Sequence, residues 1–223
     1  MFRDRRDAGN QLAKRLRQYK GVKNVLVLAL PRGGVITGYE IARSLGLPLD
    51  VLIVRKIGAP LQPELAAGAV SEKGTIILNR NIISALDIPD DFIHDEVLKQ
   101  KEEIRRRVEL YRKGKAAMLK AKTVILVDDG VATGATVGAA IAALKEEKIF
   151  KLVAAIPVAP PETILELRKI ADEVICLETP HDFTAVGNYY RDFNQVSDEE
   201  VVKLLNVLAS GKEDEKKGEM RLT

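Results

Sequence analysis

Read for the spacing of its apolar positions, the chain alternates short β-rich runs with stretches of helical period. That is the pattern of a mostly parallel sheet covered by helices on both faces, and it predicts an α/β fold. Leu12, Leu16 and Tyr19 recur at helical spacing among Arg, Lys and Gln, so residues 4–20 are expected to form an amphipathic helix that Gly21 ends. Strands are expected at 24–30 (NVLVLAL), 49–54 (LDVLIV), 123–127 (TVILV), 152–158 and 174–177. A weaker strand signal at 75–78 pairs with part of the preceding loop as a hairpin. Helices are expected at 35–45, 90–112, 134–148, 162–170 and 198–208. In the second of these, Ile93, Val97, Ile104, Val108 and Tyr111 share one face, and the Lys, Glu and Arg residues of the other face are expected to meet water. Residues 57–74 change to Gly, Ala, Pro and polar positions and read as a long functional loop. The run from 209 to 223 has charge without apolar spacing and reads as a solvated, frayed tail.

Composition narrows this picture. A chain of 223 residues fits one domain with at most a small appendage, and 46% hydrophobic against 30% charged residues builds a core and covers it. Thirty-five Lys and Arg against 32 Asp and Glu leave a net charge of +3, too weak to imply nucleic acid. The longest apolar runs are strand-length, well short of the ~20 residues of a membrane span. The first residues carry charge of both signs and no secretory signal, and the single Cys176 excludes an internal disulfide, so a cytoplasmic address is expected. Cys176 itself reads as a small buried hydrophobe.

The chemistry concentrates in residues 124–136 (VILVDDGVATGAT). Four apolar residues bury a parallel strand, and Asp128 and Asp129 emerge at its carboxyl edge, where open α/β sheets bind ligands. Gly130, Gly134 and Ala135 let backbone approach a ligand, Thr133 and Thr136 supply hydroxyls, and a helix begins at once, so amides and a positive dipole end face a phosphate dianion. Paired acids beside a phosphate cradle suit a sugar phosphate, because carboxylates accept hydrogen bonds from a vicinal diol. A nucleoside-triphosphate loop would need a lysine where Ala135 stands, and a phosphoacceptor receiver would carry its aspartates nearer the start of the chain. This corner of the sheet is expected to stand open to ligand rather than be filled by the chain's own side chains.

Segment 124–136 resembles the phosphoribosyl-pyrophosphate signature of type I phosphoribosyltransferases: four hydrophobics, two acids, two variable positions, then small-Thr-Gly-x-Thr. The resemblance covers roughly Val25 to Val196 and implies a five-stranded parallel core flanked by helices, a flexible loop and a small hood. Residues 1–208 then form one domain, with core about 22–196, hood from 1–20 and 179–208, and 209–223 as tail. On that resemblance Asp128 and Asp129 take the ribose, and Val131, Ala132, Thr133, Gly134, Ala135 and Thr136 take the 5-phosphate. Arg32, Gly33 and Gly34 form the pyrophosphate loop, Arg55 and Lys56 reach the pyrophosphate, and Glu64 in the flexible loop is a candidate base. Phe183 stacks on the acceptor, with Tyr189, Arg191 and Asp192 as further base-site candidates.

The same resemblance implies Mg2+ touched by Asp128 and Asp129 only through ribose hydroxyls or water, phosphoribosyl pyrophosphate as co-substrate, a nucleobase acceptor in nucleotide salvage, and a homodimer. Two departures leave the acceptor unassigned. Ala132 stands where hypoxanthine-guanine enzymes carry an aspartate, and Ala159-Pro160-Pro161 where they carry a lysine. The fold also hosts non-catalytic phosphoribosyl-pyrophosphate sensors, but the roughly 22 residues ahead of the first strand are too few for a helix-turn-helix.

Overall fold

The computed structural model describes residues 1–114 and 118–219, with the side chains of residues 63, 64 and 209–219 excepted. In chain order the elements are α1 (Arg5–Arg15), β1 (Val25–Ala29), α2 (Gly33–Leu45), β2 (Leu49–Val51), β3 (Val54–Ala59), β4 (Gln62–Ser71), β5 (Ile76–Leu78), α3 (Arg80–Ala85), α4 (Asp90–Arg112), β6 (Thr123–Val127), α5 (Ala135–Lys145), β7 (Lys151–Val158), α6 (Pro161–Ile170), β8 (Glu173–Glu178) and α7 (Asp198–Glu219). Asp4 caps α1, its carboxylate accepting from the Asp7 amide at 2.7 Å.

The main sheet runs β2-β1-β6-β7-β8 with every pairing parallel, the α/β architecture that the apolar periodicity predicts. All five residues of β1 are buried, as are Val124 to Val127 of β6, because helices cover both faces. Each fully buried aliphatic side chain of this kind contributes about 1.5–3 kcal/mol. α1 lies close on α2, where Gly9 permits the approach: a Cβ there would stand 2.6 Å from the Thr37 carbonyl oxygen. The chain turns one way from β1 to β2 and the other way from β6 to β7, so the strand order reverses between β1 and β6. Ligand crevices of open parallel sheets form at that reversal.

Three expectations change. The strand at 49–54 breaks at Leu52–Ile53: β2 ends at Val51, and Arg55 and Lys56 lie on β3, in a separate antiparallel sheet of order β3-β4-β5. Residues 57–74 are therefore mostly a hairpin rather than a loop. The hairpin has its own apolar cluster, in which Ile57, Ala59 and Ala67 meet Ile88, Ile93 and Val97, and this burial offsets the weak strand propensity of its Gly and Ala residues. The hairpin of 75–78 is present, with Ala69 paired to Ile77. At its far end Glu72, its side chain 3% exposed, pairs with Arg112 of α4 at 2.6 Å. The third change is at the C-terminus, where α7 continues past Leu208 to Glu219 through a run of Glu and Lys, both good helix formers.

Candidate active site

At the reversal point Ala29 pairs with Val127, and the Leu30 amide donates to the Val127 carbonyl at 2.9 Å. Residues 31–34 and 128–136 therefore leave the sheet side by side. The glycines of the first segment make room for the acids of the second. A Cβ on Gly34 would stand 2.9 Å from the Val127 carbonyl and 3.0 Å from the Asp128 Cα, and one on Gly33 would run into the Asp129 carboxylate.

The acids are not two free carboxylates. Asp128 Oδ1 accepts from the Asp129 amide at 2.9 Å, and burial, followed by the neighbouring Asp129 charge, holds the Asp128 carboxyl well above the usual carboxylate range. Asp129 Oδ2 accepts from Arg5 Nε at 2.5 Å. The same guanidinium donates to the Asn194 carbonyl at 2.8 Å and lies 3.7 Å from the centre of the Phe193 ring. Tyr190 donates its hydroxyl to the Asp129 carbonyl, and burial pushes that phenol far up. The open corner expected from sequence is thus partly filled by Arg5, Tyr190 and Phe193. A carboxylate has about four lone-pair sites, so each acid still has acceptor capacity for a hydroxyl.

Beyond the acids, the turn that leads into α5 has one of its amides engaged. The Val131 amide already donates to the Val158 carbonyl at 2.9 Å, so this residue anchors the turn. Ala132 accepts at its carbonyl from Thr163 Oγ1 at 2.7 Å, bracing the turn on α6. Gly134 then adopts φ 77°, a conformation that suits glycine, and stands as the N-cap of α5 with no side chain capping the helix. The leading amides of α5 have no intrahelical partners, and among the described residues Thr133 Oγ1 approaches the Ala135 amide, at 3.5 Å.

Two cavities flank this helix start. One, of about 610 Å³, is lined by Pro31, Arg55, Lys56, Lys99, Arg107 and Thr136 among others. The other, of about 950 Å³, takes in Ala132, Thr133, Gly134 and Ala135 together with apolar groups from the hairpin and α6. In the first, Arg55 Nε donates to Gln100 Oε1 at 2.9 Å. Burial lowers the Arg55 pKa, and the nearby Arg107, Arg106 and Arg32 guanidiniums lower it further. Glu103 and Asp198 offset this crowding: Glu103 pairs with Arg107 at 2.7 Å, and Asp198 with Arg106 at 3.1 Å and with Arg32 at 4.0 Å. A cluster of cations around a cavity next to an uncapped helix start favours a polyanion.

Sequence reasoning missed Lys99 and Arg107, because the polar face of α4 reads as solvated. The available signal is Gln100, a polar residue within the buried stripe of that helix. It missed Arg5 too, whose signal is a charge on the apolar face shared with Ala8, Gly9 and Leu12. Of the residues it named, Arg32 precedes α2 without a side-chain capping bond and reaches towards Asp198, and Phe183 lines the larger cavity. Tyr189 stacks on Phe183 with ring centres 5.5 Å apart. Arg191 and Asp192 are exposed, their amides donating to the carbonyls of Phe2 and Arg3 at 2.9 Å. The Glu64 side chain lies outside the described residues. Glu72, the other carboxylate of that stretch, is held in its buried ion pair with Arg112.

Among the described residues no three His, Cys, Asp or Glu side chains converge on a metal position. Burial favours the neutral form of Asp128, and Arg5 holds Asp129, so these two acids suit a magnesium ion touched through its own waters, which that ion keeps readily, rather than directly. The donor set fits an ion that arrives with a phosphorylated substrate.

Residues 3–194 match the model of the phosphoribosyl transferase domain. The chain belongs to this family. A Mycobacterium tuberculosis protein named "putative phosphoribosyl transferase" is 46% identical over 207 residues, which cover 92% of this phosphoribosyl transferase chain and 46% of that protein; a second strain has a counterpart with the same figures. The chain therefore spans less than half the length of the curated relatives it matches. The crystal structure of the TT1426 protein from Thermus thermophilus is 45% identical, with a TM-score of 0.78 over 92% of this chain and 97% of that one. Among the described residues no helix is long and apolar enough to cross a membrane.

Proposed function

We propose that the protein binds phosphoribosyl pyrophosphate across the β1/β6 edge and transfers ribose 5-phosphate to a ring nitrogen of a nitrogenous base. The observation that carries this reading is the uncapped start of α5 at Gly134, standing between two adjacent acids and a cation-lined cavity at the sheet reversal. The 5-phosphate sits on the leading amides of α5 with Thr133 and Thr136. The ribose hydroxyls donate to Asp128 and Asp129, and the pyrophosphate faces Arg32, Arg55 and Lys56.

The lone pair of the ring nitrogen forms a bond to the anomeric carbon while the carbon–oxygen bond to pyrophosphate breaks. Pyrophosphate leaves with that electron pair, and the nitrogen's proton passes to solvent. Positive charge grows on the ribose and negative charge on the leaving group, so the chain acts by positioning and by its fixed field. Bound magnesium would neutralise charge on the pyrophosphate oxygens. A cytoplasmic, dimeric salvage enzyme is the setting this reading favours.

The test is pyrophosphate release, measured with phosphoribosyl pyrophosphate, magnesium and a panel of bases, on the native protein and on the double variant Asp128→Asn, Asp129→Asn. Preorganised contacts of this kind are each worth ~10²- to 10³-fold in rate, so turnover should disappear in the variant while its circular dichroism stays native. Near-native turnover in the variant removes the ribose assignment. Binding without turnover on every base replaces the enzyme by a sensor.

A further inference from the structure

The larger cavity starts at the phosphate turn itself, since Ala132 to Ala135 belong to both, and it extends under the β4–β5 hairpin. An acceptor that meets the anomeric carbon from this side enters that space, so its walls define the acceptor's chemistry. They are apolar: Ala132 and Pro160 on the sheet side, Phe183 after β8, Leu65 and Ile77 from the hairpin, and Leu167 from α6.

The polar side chains along these walls are engaged or exposed at the rim: Asn79 Oδ1 accepts from the Ile82 amide at 3.2 Å, and Asn79, Asn81 and Thr133 are all exposed. Thr163 donates to the Ala132 carbonyl at 2.7 Å, and Thr184 Oγ1 accepts from Asn188 at 2.6 Å. The charged side chains that line the cavity are Arg80, Glu162 and Glu166. All three residues are exposed, and Glu166 pairs with Lys169 at 2.6 Å. A purine carbonyl or ring N–H packed on the apolar walls, away from these rim groups, would lose water without gaining a partner, which is costly. A flat apolar ring loses little. The volume of about 950 Å³ is also at the upper end of the roughly 300–1,000 Å³ usual for whole ligands, so beside a sugar phosphate seated at Ala132–Ala135 it leaves room for more than one unsubstituted nucleobase.

Resting on the phosphoribosyl reading above, we infer that the acceptor is an apolar nitrogen heterocycle, larger than a simple base or carrying apolar substituents, rather than an oxopurine. Its ring nitrogen supplies the electron pair for the new bond to the anomeric carbon. The rest of the molecule packs between Phe183 and the hairpin.

The experiment separates the two levels. Calorimetry first titrates the full chain with ribose 5-phosphate. The saturated complex is then titrated with benzimidazole, an apolar probe, and in parallel with hypoxanthine, its oxopurine counterpart. The inference expects ribose 5-phosphate to bind and benzimidazole to bind at least ~10-fold more tightly than hypoxanthine. Equal or tighter binding of hypoxanthine overturns it, as does the failure of both probes on a complex that holds ribose 5-phosphate. Failure of ribose 5-phosphate itself overturns the phosphoribosyl reading. Ala132→Asp should shift the preference towards hypoxanthine by ~10-fold. Ile77→Asn, away from the phosphate turn, should shift it in the same direction with ribose 5-phosphate affinity unchanged, so the prediction survives a turn disrupted by the first variant. An unchanged preference in Ile77→Asn counts against the inference.

Discussion

Arg5 shows how one side chain can tie the end of the chain to the site. Its guanidinium is 9% exposed, braced by Asn194 and Phe193, and paired with a carboxylate that is 16% exposed. Removing one partner of such a pair leaves a poorly solvated charge behind, which costs more than the pair itself contributes. Arg5→Ala should lower stability by about 2 kcal/mol, read as a fall in urea midpoint at constant slope. An unchanged midpoint would show that water replaces the guanidinium at no cost. Cys176 yields a pH prediction. Burial pushes its thiol up to about 11, against an ordinary value of about 8.5 in an unfolded chain. The folded state therefore holds the proton more tightly, so this contribution to stability is complete below about pH 8.5 and declines as pH rises towards about 11. At pH 8 the native protein should react with a disulfide reagent far more slowly than the urea-unfolded chain, and equal rates would contradict the burial.

At the level of elements, α4 and the hairpin behave as one wall. Arg55 of β3 donates to Gln100 of α4, Lys99 and Arg107 line the cavity with it, and the Arg112–Glu72 pair fixes the other end of the helix to the turn between β4 and β5. The cavity's cations should therefore act on a leaving pyrophosphate and not on a 5-phosphate bound at α5. Arg107→Ala should weaken inorganic pyrophosphate binding by about 10-fold or more, and Lys99→Ala by less because Lys99 is more exposed, with ribose 5-phosphate affinity unchanged in both. Equal losses for both ligands in calorimetry would mean that these residues support the fold rather than the ligand. The agreement of α4 with its predicted limits, Asp90 to Arg112, reflects a strong apolar stripe at helical spacing. The hairpin was far less legible. Gly58, Ala59, Ala66, Ala67 and Gly68 carry little strand propensity, and the burial that orders them comes from α3 and α4, which no local window contains.

For the whole molecule, the legible part is the parallel core and the turn at its edge, because buried parallel strands read as continuous apolar runs and the turn is contiguous in sequence. What fills the corner was hidden by distance along the chain. Arg5 lies 124 residues before Asp129, and Tyr190 lies 61 after it, each brought there by packing at the two ends of the chain. Strand reversal between β1 and β6 gathers these pieces, and the central claim is that this edge receives a phosphorylated sugar. A calorimetric titration with phosphoribosyl pyrophosphate and magnesium tests that claim most directly. It should give saturable binding of one molecule per chain that excess ribose 5-phosphate displaces, whereas no heat at saturating concentrations, or binding indifferent to ribose 5-phosphate, would contradict the claim.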